Sequence, residues 1–147
     1  MTTATFAEPA TPTAIRACEW VIGLNAAVSV ALMAAPRLVR TPFDAAFFET
    51  PWPAALAAEP AQRAIDFYVV ILGGVALGWM VALMGLVRSG VARGSVEAWR
   101  YAVAAVVLWF ATDSAASIAV GNGVNVWLNV AFAAPLLGTL LWARPAR

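Results

Sequence analysis

The chain contains no histidine and no lysine, and only one cysteine. Without histidine there is no imidazole to act as a general base near neutral pH or as a metal ligand. Cys18 stands alone, so neither an intrachain disulfide nor a cysteine cluster can form. Charge is scarce as well. Only 12% of the 147 residues are charged, against about 25% in an ordinary soluble domain. All nine basic residues are arginines, set against eight acids, and the net charge of +1 offers no basic face to a nucleic acid. The sequence shows no nucleophile–base pair, phosphate loop or metal cluster. No cofactor or metal is therefore expected, and a non-catalytic role is better supported than an enzyme's.

What the chain has in abundance is apolar surface. At 63% hydrophobic it exceeds the about 45–50% of soluble domains, and a body of one domain's length cannot hide that much from water. Lipid must solvate part of it. A spanning helix needs roughly 20 mostly apolar residues, so uncharged runs mark the spans. Trp20–Pro36 lies between Glu19 and Arg37, and Phe67–Val87 between Asp66 and Arg88. Tyr101–Trp142 is too long for one helix, and Gly121-Asn122-Gly123 divides it at a strong turn signal. The expected fold is an all-α bundle of four transmembrane helices, at about 14–36, 62–88, 97–120 and 124–143, forming a single membrane domain over 1–147. The first run is read as a retained helix and not a signal peptide, because Glu19 interrupts its apolar region and Pro36 follows the small residues.

Arginine placement orients the bundle. Arg16, Arg88, Arg93, Arg100, Arg144 and Arg147 fall on one side, against Arg37, Arg40 and Arg63 on the other. Both termini are expected in the cytoplasm. The outer connection, 36–65, carries Thr41-Pro42 and Thr50-Pro51, each a good N-cap and first-turn pair. Short interfacial helices are expected there, with Phe43, Phe47, Phe48 and Trp52 either anchoring in the interface or forming a lid over an outward pocket. In the second span, Gly74-Val-Ala-Leu-Gly78 continues to Ala82. Small residues at this spacing allow close backbone approach, within the bundle or in a homodimer.

Polar groups inside a membrane are costly and need a partner or a purpose. Asp113 lies ~10 Å below the outer end of the third helix, with Ser117 one turn onward and Ser114 beside it. The fourth helix descends from the same turn with Asn125 and Asn129, and Asn129 reaches a similar depth. An Asp113–Asn129 hydrogen bond is expected. Asn25 and Ser29 add a polar pair on the first helix, and Asp66 marks the outer mouth of the second. Three readings follow: interhelical glue, a small-molecule or ion site opening outward, and proton-coupled transport or chemistry through Asp113. The expected partners are the lipid bilayer, a membrane partner subunit or second copy, and a small ligand.

The layout from about residue 14 resembles the small four-helix bacterial membrane proteins of the DoxX-like type. The similar features are the long outer connection, the Asp66-Phe67-Tyr68 start of helix two, the short Arg-rich inner loop and the tightly joined last pair. Trp109-Phe110-Ala111-Thr112-Asp113-Ser114, followed by Gly121, Asn125 and Asn129, looks like a family signature. The resemblance implies a bacterial inner-membrane protein and, for some members, oxidoreductase or respiratory partners. The single cysteine departs from any thiol-redox member, so no redox residue is carried over.

Overall fold

The computed structural model describes residues 8–47 and 57–146. Over these residues the chain is helical: α1 (Pro12–Ala34), α2 (Pro36–Phe47), α3 (Glu59–Ser89), a 3-10 turn at Val91–Arg93, α4 (Val96–Ala119) and α5 (Val124–Trp142). Helices α1, α3, α4 and α5 are long and apolar enough to cross a membrane. α3 begins at Glu59 and not at 62. Its 31 residues span ~46 Å, which is longer than the ~30 Å hydrocarbon core.

Local chemistry sets the ends. Thr11 caps α1 by accepting from the Ala14 amide, and Pro12 opens the helix. Ser95 caps α4 in the same way, accepting from the Ala98 amide at 3.2 Å. Gly94 and Gly121 take φ near 80°, a left-handed backbone that suits glycine, at the two short connections. Near the termini, Glu8 and Ala146 pair in an isolated antiparallel bridge, which puts both described ends at one end of the bundle.

The expectation for 36–65 needs correcting. Thr41 and Pro42 do not start a helix, because α2 already begins at Pro36, with only Ala35 between it and the end of α1. Pro36 supplies the first-turn proline instead. Thr41 sits in mid-helix, its hydroxyl donating to the Arg37 carbonyl at 2.6 Å. Thr50-Pro51, Phe48 and Trp52 lie outside the described residues. α2 packs on α1, α3 and α5.

The small-residue row is corrected too. A Cβ at Gly74 or Gly78 would meet nothing within 4 Å, so this row does not pack inside the bundle. The close approach is one residue earlier. A Cβ at Gly73 would stand 2.8 Å from the Ser29 carbonyl oxygen and 2.8 Å from Met33 Cγ. Gly73 therefore lets α1 and α3, the most extensive helix pair, touch backbone to backbone.

Packing differs along the bundle axis. The buried core is Ala14, Cys18 and Ile22 of α1, Met80, Leu83 and Val87 of α3, Val91 of the 3-10 turn, Ala102 and Val106 of α4, and Ala133, Leu136 and Leu140 of α5, closed by Ala143. Most belong to the half near the termini, with Met80 reaching the floor of the cavity in the other half. The outside is apolar: Trp20 is 80% exposed and Trp127 76%. Such a surface suits lipid and would be an aggregation liability in water. At the terminal end Arg88 pairs with Glu19 at 2.6 Å, which gives the span-embedded acid its counter-charge. The Trp99 indole donates to the Leu140 carbonyl at 2.7 Å and ties α4 to α5.

Candidate functional site

The half of the bundle near the α4–α5 turn is hollow. A cavity of about 590 Å³ opens between α1, α3, α4 and α5, with Phe43 of α2 forming part of its wall. Pockets of about 300–1,000 Å³ hold drug-sized ligands. Most of the lining is apolar or aromatic, including Leu72, Val75, Trp79, Trp109, Leu128 and Phe132. Asn25, Ser29, Asp113, Asn125 and Asn129 supply its polar part. The reason is visible in the sequence. Four-residue spacing puts Asn25 with Ser29, Trp109 with Asp113, and Asn125 with Asn129 on single helix faces. Those faces converge because the α4–α5 turn is short and α1 crosses α3 at Gly73.

The hydrogen bonds are not the ones expected. Asn129 donates to Ser114 Oγ at 3.2 Å, not to Asp113. Asn125 donates to Ser117 Oγ at 2.8 Å, and that hydroxyl donates to the Asp113 carbonyl at 2.8 Å. Two hydroxyl–amide pairs thus join α4 to α5. Asp113 enters this network through its backbone only. Its direction explains why: Ser114 and Ser117 are buried against α5, whereas Asp113 is half-buried and faces the cavity. On α1, Asn25 Nδ2 donates to the Val21 carbonyl at 2.8 Å and Ser29 Oγ to the Asn25 carbonyl at 2.9 Å.

These bonds use one N–H of each amide and leave its oxygen without a donor. Val21 O can only accept, so the Asn25 amide must turn its nitrogen there. The Ser117 hydroxyl proton is spent on Asp113, so Asn125 must also present nitrogen to it. The amide oxygens of Asn25 and Asn125 and both carboxylate oxygens of Asp113 have no donor among the described residues. No enclosed side-chain oxygen or nitrogen among the described residues lacks a partner, so these unpaired oxygens border open space. Trp79 and Trp109 stand beside them, with ring centres 5.3 Å apart and planes tilted by 43°. Both tryptophans were missed as site residues, although Trp109 lies one turn from Asp113 on the same face.

Asp66 belongs elsewhere. It accepts from Arg37 at 2.6 Å and from Arg40 at 3.0 Å, outside the cavity. Arg40 also pairs with Asp44 at 2.6 Å and bonds Gln62, while Arg37 reaches Glu59 at 3.2 Å. Burial pushes the Asp44 carboxyl above the usual carboxylate range, against the downward pull of Arg40. The carboxylates beside Arg37 raise the pKa of its guanidinium. This network clamps α2, and with it Phe43, to the start of α3. Among the described residues, no group of three acids or thiols is placed to hold a metal ion. Compared with known proteins, the chain matches no family model, no curated protein and no solved structure.

Proposed function

We propose that this is a multi-pass protein of the bacterial inner membrane, with both termini in the cytoplasm, and that it binds a small ligand or lipid in the outward half of its bundle without catalysing a reaction. The cavity bordered by Asp113 carries this reading. A helix pair held only by glue would bring its polar groups together, whereas here the acid is left facing open space among apolar walls. The arginine count supports the orientation, and the DoxX-like resemblance is part of the same proposal. α2 would then lie at the outer interface and close the cavity through Phe43, which favours the lid reading of 36–65.

A second reading is a membrane enzyme or transporter component in which Asp113 is a proton or cation site. The carboxylate's lack of a donor favours it. The first reading is tested by filling the cavity. Ala76 lines it, so Ala76→Phe should remove small molecules that co-purify with the wild-type chain, as read by mass spectrometry of organic extracts. Equal retention by both proteins would sink the ligand reading. Asp113→Asn tests the second reading when proton or cation uptake into proteoliposomes is measured: the wild-type chain should show uptake that the variant loses, and no uptake by the wild type would sink it, while the cavity's size is unchanged.

A further inference from the structure

We infer that the cavity's ligand is a protonated amine carried on an apolar body, with its ammonium at Asp113 and its body against Trp79 and Trp109. This rests on the cavity being a ligand pocket, and it adds the chemical class.

The polar part of the cavity holds more free acceptors than free donors. Asn25 and Asn125 have each given one N–H, to Val21 and Ser117; each keeps its second N–H, and each amide oxygen is left without a donor among the described residues. Asp113 adds a carboxylate with no donor of its own. An occupant that satisfies this set must bring N–H or O–H groups, and one that balances the acid must bring a positive charge. No arginine lines the cavity to do so. Arg37 and Arg40, on α2, are engaged by Asp66, Asp44 and Glu59. An anionic ligand would face the carboxylate across an apolar space, and a neutral hydrocarbon would leave every acceptor unmet.

Size separates an organic cation from a bare metal ion. An ion needs oxygens converging on one point and would leave most of the roughly 590 Å³ empty. The walls away from Asp113 are apolar and aromatic: Trp79, Trp109, Leu128 and Phe132. Trp109 is one turn from Asp113, so an ammonium at the carboxylate lies near an indole face, and such faces attract cations within about 6 Å. One molecule with a charged end and an apolar end matches both parts.

The test uses the full chain in lipid nanodiscs and three probes differing only in the head: 4-phenylbutylamine, 4-phenylbutanol and 4-phenylbutyrate. Binding is read by equilibrium dialysis, with empty nanodiscs subtracted. One amine per chain should bind, about tenfold or more tighter than the alcohol, with the carboxylate weakest. D113N should weaken the amine about tenfold or more and move the alcohol by less than about threefold. Should D113N melt below wild type, Asn25→Leu, which removes a different acceptor, should also weaken the amine selectively. Alcohol or carboxylate binding as tightly as the amine would overturn the ammonium assignment, and so would an amine indifferent to D113N. If such binding is still lost in Ala76→Phe, the pocket stands and only the class falls. Failure of all three probes to bind wild type, with Ala76→Phe also unchanged in what it retains, would overturn both.

Discussion

Gly73 and Gly78 lie on the same helix, α3, yet they should respond oppositely to the same substitution. In Gly73→Ala the new methyl would lie 2.8 Å from Met33 Cγ, 2.8 Å from the Ser29 carbonyl oxygen and 3.1 Å from Leu32 Cβ. Met33 can swing aside because its side chain is flexible. The Ser29 carbonyl belongs to helix backbone and cannot, so α1 and α3 must separate. Overpacking of this kind costs about 1–3 kcal/mol. Alanine's helix advantage over glycine, about 1 kcal/mol in water, is small here because the detergent-unfolded chain keeps much of its helix. Gly73→Ala should therefore lose about 1–2 kcal/mol net. Gly78→Ala meets nothing within 4 Å and should be neutral or slightly stabilising, by well under the about 1 kcal/mol seen in water. The assay is reversible unfolding of the purified chain in mixed micelles by increasing dodecyl sulfate, followed by circular dichroism. Equal effects at the two positions, or a larger loss at Gly78, would refute the α1–α3 crossing at Gly73.

Asn129→Ala should weaken the bundle by about 0.6–2 kcal/mol in the same assay, since it deletes a buried bond to Ser114. Asp113→Leu should cost less than Asn129→Ala, because the Asp113 side chain has no hydrogen-bond partner among the described residues; the reverse order would mean that Asp113 is glue after all. Arg40→Met strands Asp44 and removes one of the two arginines on Asp66, which keeps Arg37; it should cost about 1–3 kcal/mol, with amide exchange rising in α2 but not in α4. In a Cys18→Ser background, an impermeant thiol reagent added outside intact cells should label a cysteine at Asn122 and spare one at Ser89; labelling at 89 would invert the topology.

The spans were legible because charge is excluded from them: each uncharged run became a helix, and Gly121-Asn122-Gly123 became the α4–α5 turn. What stayed hidden was rotation and partner choice. Gly73 and Gly74 are adjacent, yet a step of one residue turns about 100° around a helix of 3.6 residues per turn. Spacing reveals that a row of small residues exists, not which of two neighbouring rows meets α1. The same ambiguity let Ser114 take the bond assigned to its neighbour Asp113. Asn129 does reach the depth of this pair, but azimuth decided which residue accepts its bond. Asp66 was read as part of the polar set because Arg37 and Arg40 were counted only for orientation. Their three-residue spacing on α2 aims both at Asp66.

The most direct test is an experimental structure of the full chain purified from its native membrane into lipid nanodiscs, at a resolution that shows bound molecules. Density filling the space between Trp79, Trp109 and Asp113, with its polar end at the carboxylate, is the expected result. A collapsed or lipid-facing Asp113, with the carboxylate closed onto Asn129 and no space beside the two tryptophans, would contradict the ligand pocket.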